Sequence, residues 1–167
     1  MIRRKPSKVK HILTYYSSMM NDYYLNLATL YLKASTKDRT DMGAGVLFHC
    51  PEDGTVLLLK RSENGREGGS WNLPGGALKE DEKPRDGALR EAEEELGVLP
   101  PLEISPGPVT QGSRFTYHIF LSPMSLKDKK DFTEKIDLDT YENTEFEWFP
   151  IENIPSNLHS SICWEDS

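Results

Sequence analysis

The 167-residue sequence predicts an α/β protein, more narrowly α+β, in which a mixed sheet is layered with helices and preceded by a helical extension. Three observations carry this. Strand-like runs lie on both sides of one charged, helix-compatible segment, and a long stretch without Pro or Gly precedes them. The composition, 37% apolar and 28% charged, is that of a chain able to bury a core. A chain of this length suits one domain with an addition, divided as residues 1–40 and residues 41–167.

The elements follow in chain order. Between Ser7 and Asp41 neither Pro nor Gly occurs, and apolar residues at 16, 19, 20, 23, 24, 27, 30 and 31 fall on a helical stripe. This predicts a helix over about 8–34, with a strand near 24–32 as the competing assignment. Its apolar face needs a cover, either the main domain or a second copy of the chain, so a homodimer is expected as one outcome. MGAGVLFHC and TVLLLKRS read as two strands joined by the turn PEDG. ENGREGGS is a polar, Gly-rich loop, and WNLPGG leads into an acidic stretch. Pro84 suits a first helical turn and Gly97 a C-cap, giving a helix at about 83–96. LPPLEISPGP reads as a break, SRFTYHIFLSPM as a strand, SLKDKKDFTEKIDLDTYEN as a charged loop and EFEWFPI as a last strand. The remaining tail is expected to hold a short helix at most.

Charge narrows the partners. The formal net charge is −7, yet residues 1–10 hold five of the 20 Lys and Arg and no acid, leaving 15 basic against all 27 acidic side chains beyond them. So acidic a body repels long nucleic acids and suits small phosphorylated ligands accompanied by cations. The basic start leaves contact with an RNA 5′ end open. No apolar run approaches the roughly eighteen residues of a membrane span, so no membrane partner and a cytoplasmic location are expected. Cys50 and Cys163 match no metal-ligand spacing and read as free thiols.

The chemistry concentrates at Glu91, Glu94 and Glu95. At i, i+3 and i+4 of a helix these carboxylates share one face, and like charges so spaced repel. Arg90, four residues from both Asp86 and Glu94, can pair with either but cannot neutralise three glutamates. A hard divalent cation, Mg²⁺ or Mn²⁺, answers the excess of oxygen ligands. Ala88, Leu89, Ala92 and Leu96 make a separate apolar strip that can seat the helix on a sheet.

The complete pattern is Gly76, five residues, Glu82, seven residues, then Arg90-Glu91-Ala92-Glu93-Glu94-Glu95-Leu96-Gly97-Val98. It resembles the signature box of the Nudix hydrolases, with every specified glycine and charged position filled. Ala92 stands where the box asks for a bulkier aliphatic, a difference of packing. The resemblance implies a Nudix-type α/β/α sandwich. It also implies hydrolysis of a nucleoside diphosphate linked to some group X, by metal-assisted attack of water on phosphorus. By position in the box, Glu94 and Glu95 resemble metal ligands, Glu91 a ligand or general base, and the Gly75 carbonyl a further ligand. Arg90 and Glu82 resemble a pair bracing the loop against the helix, with Gly76 and Gly97 in structural roles. Of the acids outside the box, Glu142, Glu145 and Glu147, Glu142 is the favoured extra base or ligand.

Arg61 is a candidate for substrate phosphates. Phe115 and Tyr117 flank Thr116 on one side of a strand, where a base can stack or a core can form. Ser113 and Arg114 stand where some family members acting on ADP-ribose carry Pro. Nucleoside triphosphates, dinucleoside polyphosphates and capped or triphosphorylated RNA all stay open as substrates. A nucleotide-sensing or scaffold protein without turnover is the alternative, and the intact acid set weighs against it.

Overall fold

The computed structural model describes residues 41–112 and 115–162. The helix expected over 8–34, its competing strand, Ser113, Arg114 and Cys163 lie outside the described residues. Seven strands form one mixed sheet: β1 (Asp41–Cys50), β2 (Thr55–Arg61), β3 (Trp71–Asn72), β4 (Gly75–Ala77), β5 (Ser105–Gln111), β6 (Phe115–Pro123) and β7 (Asn143–Pro150). Two α-helices, α1 (Pro84–Leu96) and α2 (Leu126–Thr133), and a 3₁₀ turn at Ile151–Asn153 complete the described elements. The mixed sheet with helices is the fold class that the sequence predicts.

Strand β1 is the centre of the sheet. On one edge it runs parallel to β6 from Asp41↔Phe115 to His49↔Pro123. On the other edge it pairs first with β4, Gly43 to Gly45 against Ala77 to Gly75, and then with β2 at His49 and Cys50. Being covered on both faces, β1 is buried from Gly43 to Cys50, which is why VLF reads as a continuous apolar run and not as an alternation.

The strand period divides the core in two. Ala44, Val46, Phe48 and Cys50 face α1 and α2, packing with Leu57, Leu59, Ala88, Ala92, Leu96 and Phe132. Leu47, Val56, Leu58, Tyr117, Ile119 and Leu121 face the opposite way and are covered by Ile151, Ile154 and Ile162. Each fully buried Leu or Val contributes about 1.5–3 kcal/mol, so both layers matter to the fold.

The two strands joined by PEDG form as expected, and three other local expectations are corrected. The pair joined by PEDG is a hairpin for only two residue pairs, because β4 takes over the β1 edge and β2 turns to β7. WNLPGG contains two short strands, β3 and β4. The break over LPPLEISPGP holds the start of β5, which tolerates Pro106 and Pro108 because it is an edge strand paired to β6 and bulged between Pro106 and Val109. The charged loop holds α2, whose N-cap Ser125 accepts a hydrogen bond from the Asp128 N–H at 3.1 Å. Phe132 alone of α2 is buried, its ring tilted 52° to that of Phe48 with centroids 5.3 Å apart, so no apolar stripe marks the helix.

Candidate active site

Helix α1 positions the acidic cluster. Lys83 is its extended N-cap, Pro84 opens the first turn, and Gly97 closes the last in the left-handed region at φ 68°. Its buried face holds Gly87, Ala88, Ala92 and Leu96, and also Glu95. A carboxylate on the packing face is the first unusual feature of the site. Gly87 has a packing reason: a Cβ there would stand 2.9 Å from Glu82 Oε2.

The three glutamates on one helical face prove unequal. Glu95 is only 5% exposed, and each of its oxygens meets a donor. Oε2 accepts from the Gly75 N–H at 2.7 Å and Oε1 from Asn143 Nδ2 at 2.9 Å. Burial pushes its pKa up to about 8, against the pull of those two donors and with help from the charges of Glu142 and Glu91. Glu91 is raised as well, by burial and by Glu94 and Glu142, while Arg90 opposes the shift. Its carboxylate lies against the Gly76 backbone, where a Cβ would come within 2.7 Å of Glu91 Cδ. Glu94 points outward, its side chain 57% exposed.

Arg90 ties this cluster to the preceding loop. Its Nε and Nη2 donate to the two oxygens of Glu82 at 2.8 and 2.9 Å, a bidentate pair. Nη1 donates to Glu91 at 2.6 Å and Glu94 at 3.1 Å, and Nη2 also reaches the Ala77 carbonyl at 3.2 Å. Glu82 further accepts from the Lys79 N–H at 2.9 Å. The guanidinium, then that N–H, hold the Glu82 carboxyl down at about 2. Asp86, the other partner that spacing allows Arg90, is not among these contacts.

The segment 137–143 closes the far side. The Asp139 N–H donates to the Glu95 carbonyl at 2.8 Å, and Ser62 N–H donates to the Glu142 carbonyl at 2.8 Å. This holds Glu142 where its charge acts on both Glu91 and Glu95. Glu145 stands elsewhere, paired with Lys60 at 2.6 Å. Asn143, 2% exposed, is the site residue that the sequence alone did not single out. Its position next to Glu142 is the only signal for it in the sequence.

Arg61 ends β2, and its Nε donates to the Arg66 carbonyl at 3.1 Å. Its charge is felt at Tyr117 and at His159. Phe115 and Tyr117 do share a side of β6, with ring centroids 5.9 Å apart and planes 27° from parallel. They differ in access: Phe115 is half-buried, and Tyr117 belongs to the core at 2% exposure. A groove of about 540 Å³ lined by Pro51, Glu52, Leu102, Met124 and Asp128 lies beyond the Cys50 end of β1 and involves none of these residues.

A family model for the NUDIX domain matches residues 39–162. The chain belongs to the Nudix family. It is 30% identical over 125 residues to a nucleoside triphosphate pyrophosphatase/Nudix hydrolase fusion protein of Bifidobacterium longum, covering 71% of this chain and 23% of that protein. An 8-oxo-dGTP diphosphatase of Proteus vulgaris is 36% identical over 62 residues, 37% of this chain and 54% of its own length. The solved structure of a MutT protein from Methanosarcina mazei Go1 superposes with a TM-score of 0.53 at 26% identity, covering 76% of this chain and 90% of that one. The chain thus spans about a quarter to a half of the curated relatives that it matches.

Nudix hydrolases generally use divalent metals, and the donor chemistry here fits such an ion. Glu91, Glu94, Glu95 and Glu142 offer hard oxygens, and burial first, then the neighbouring acids, raise the pKa values of Glu91 and Glu95. Among the described residues no three acidic, His or Cys side chains already stand as a complete ligand set.

Proposed function

We propose that the protein hydrolyses a pyrophosphate bond of a nucleoside triphosphate, with Mg²⁺ or Mn²⁺ at the carboxylate cluster. The observation that carries this is Glu95, a buried carboxylate fixed between the Gly75 N–H and Asn143 beside Glu91. The names of the Bifidobacterium and Proteus relatives point the substrate toward triphosphates, oxidised purine nucleotides included. The cation, when bound, neutralises phosphate charge and lowers the pKa of a bound water. Glu91, Glu94, Glu95 and the Gly75 carbonyl are assigned as its ligands.

The chain's own residues have distinct tasks in this reading. Arg90, locked bidentately on Glu82, holds Glu91 and the loop after β4 in one arrangement. Glu142 takes the proton of the attacking water, the new P–O bond forms, and the bridging oxygen leaves with the electron pair of the broken bond. Arg61 faces the remaining phosphates and Phe115 stacks on the base. Gly76 lets Glu91 lie against the backbone.

The test is product release from nucleoside triphosphates (8-oxo-dGTP among them), dinucleoside polyphosphates, nucleotide sugars and triphosphorylated RNA, with each metal and with chelator. Metal-dependent cleavage of triphosphates that Glu94→Gln lowers by about 100-fold or more supports the proposal. Tight metal binding with no turnover across the panel overturns it in favour of nucleotide sensing. We also propose that residues 1–40 form a separate extension through which two chains pair. Light scattering showing the same number of chains with and without residues 1–35 overturns that pairing.

A further inference from the structure

We propose that the Tyr117 hydroxyl is a positioning group of this site, a donor whose acceptor oxygen, from phosphate or water, arrives only when the carboxylate cluster is loaded. The inference rests on the proposed hydrolase function and deepens it.

The hydroxyl is buried and has no hydrogen-bond partner among the described residues. Folded chains pair nearly all such groups, because an unpaired one forfeits its water without return, and the exceptions ask for a reason. Phe at position 117 would fill the same space with no unpaired atom.

Three glycines surround this side chain, where the ring and neighbouring backbone together leave no room for a Cβ. A Cβ on Gly43 would stand 2.8 Å from Tyr117 Cδ2, and a Cβ on Gly45 would collide with the hydroxyl oxygen itself. On Gly75 it would meet that oxygen at 2.5 Å. These glycines lie on β1 and β4, so the ring crosses the sheet surface and ends beneath Gly75. Phe115, stacked on the ring, limits its movement.

Where the hydroxyl ends is what links it to function. The Gly75 N–H holds Glu95, and the next residue, Gly76, backs the Glu91 carboxylate. The charges of Glu95 and Glu91 both reach the phenol, with Arg61 opposing them. A donor walled off from water under the backbone that carries the two inner carboxylates meets an acceptor only when that backbone shifts. Gly75 and Gly76 make up that backbone, and glycine tolerates the change of φ that a shift needs.

The variant Tyr117→Phe tests this. Its melting temperature should equal or exceed that of the wild type, since only an unpaired buried group is lost. Its kcat should fall about tenfold or more while KM stays within about twofold, the mark of an interaction made on the way to the transition state. A second readout needs no turnover. The ultraviolet difference spectrum, wild type minus Tyr117→Phe, is recorded with Mg²⁺ alone and with Mg²⁺ plus α,β-methylene-dGTP. A shift of the tyrosine band to longer wavelength shows the phenol finding an acceptor. Its appearance with Mg²⁺ alone assigns a water oxygen, and its appearance only with the nucleotide assigns a phosphate oxygen. Wild-type kcat in the variant with no shift in either arm overturns the inference. A wild-type chain inactive toward every nucleotide overturns the proposed function instead.

Discussion

Glu95 is held in a place where its charge is disfavoured. Both oxygens have donors, yet burial and the neighbouring acids lift its pKa to about 8. Replacing it by Gln keeps the shape and removes the charge, with the amide oxygen accepting from the Gly75 N–H and the NH2 donating to Asn143 Oδ1 once that side-chain amide turns over. Glu95→Gln should therefore melt at or above the wild-type temperature at pH 7 without metal, while turnover falls by about 100-fold or more. A variant that loses stability and activity together would instead mark Glu95 as a packing residue. Arg90→Lys tests a different bond. A lysine cannot span both oxygens of Glu82, so the carboxylate accepting the Lys79 N–H at 2.9 Å loses its anchor. Hydrogen exchange at Lys79 should quicken in the variant; unchanged exchange would show that the loop stands without Arg90. The sequence showed the box acids together on one helical face, but not which of them turns inward. That depends on Gly75 and Asn143, which approach Glu95 from 20 residues before it and 48 after it.

At the level of elements, β1 and α1 were legible and β5 and α2 were not. A buried central strand and a capped helix leave their period in the sequence. Strand β5 carries two prolines, and α2 buries one residue in eight, so neither has a pattern to find. The close approach of β1 to Tyr117 and Pro74 was equally hidden, since the glycines of MGAG suit a loop as well as a crowded strand. Gly45→Ala places a Cβ 2.8 Å from the Pro74 carbonyl oxygen and onto the Tyr117 hydroxyl. It should cost about 1–3 kcal/mol in denaturant unfolding. Gly54→Ala, at φ 67° with open space around the Cβ, meets only backbone strain of about 1 kcal/mol. Equal midpoints for the two variants would mean that β1 has slack that the contacts do not suggest.

For the whole molecule, stability against pH has two opposing parts. Burial lowers the His49 pKa from 6.5 to about 4, and also lowers those of His118 and His159. A depressed histidine contributes stability that is present above pH 6.5 and lost as pH falls toward 4; for His49 it is on the order of 3 kcal/mol. Glu95 has the opposite sign, because its folded pKa lies above its ordinary 4.5, and its contribution is lost as pH rises toward 8. Metal-free wild type should thus show a flattened stability profile between pH 4.5 and 6.5. Glu95→Gln should show a plain decline as pH falls through that window, and parallel melting curves for the two proteins would refute the assignment of either group.

Strands β3 and β5 each have their second edge finished in a way that discourages strangers. At one, the Trp71 N–H donates to the Asn157 carbonyl at 2.9 Å, and the His159 N–H donates to the Trp71 carbonyl at 2.8 Å. Residues 157–159 thus act as a selvedge on β3. At the other, Pro106 and Pro108 have no N–H to offer along β5. A protease nick or stop codon just before Asn157 would strip that covering from β3 and take Ile162 out of the buried layer as well. The product would carry an open strand to which other chains can add and a core short of its cover, so solubility is the property such a truncation should cost first.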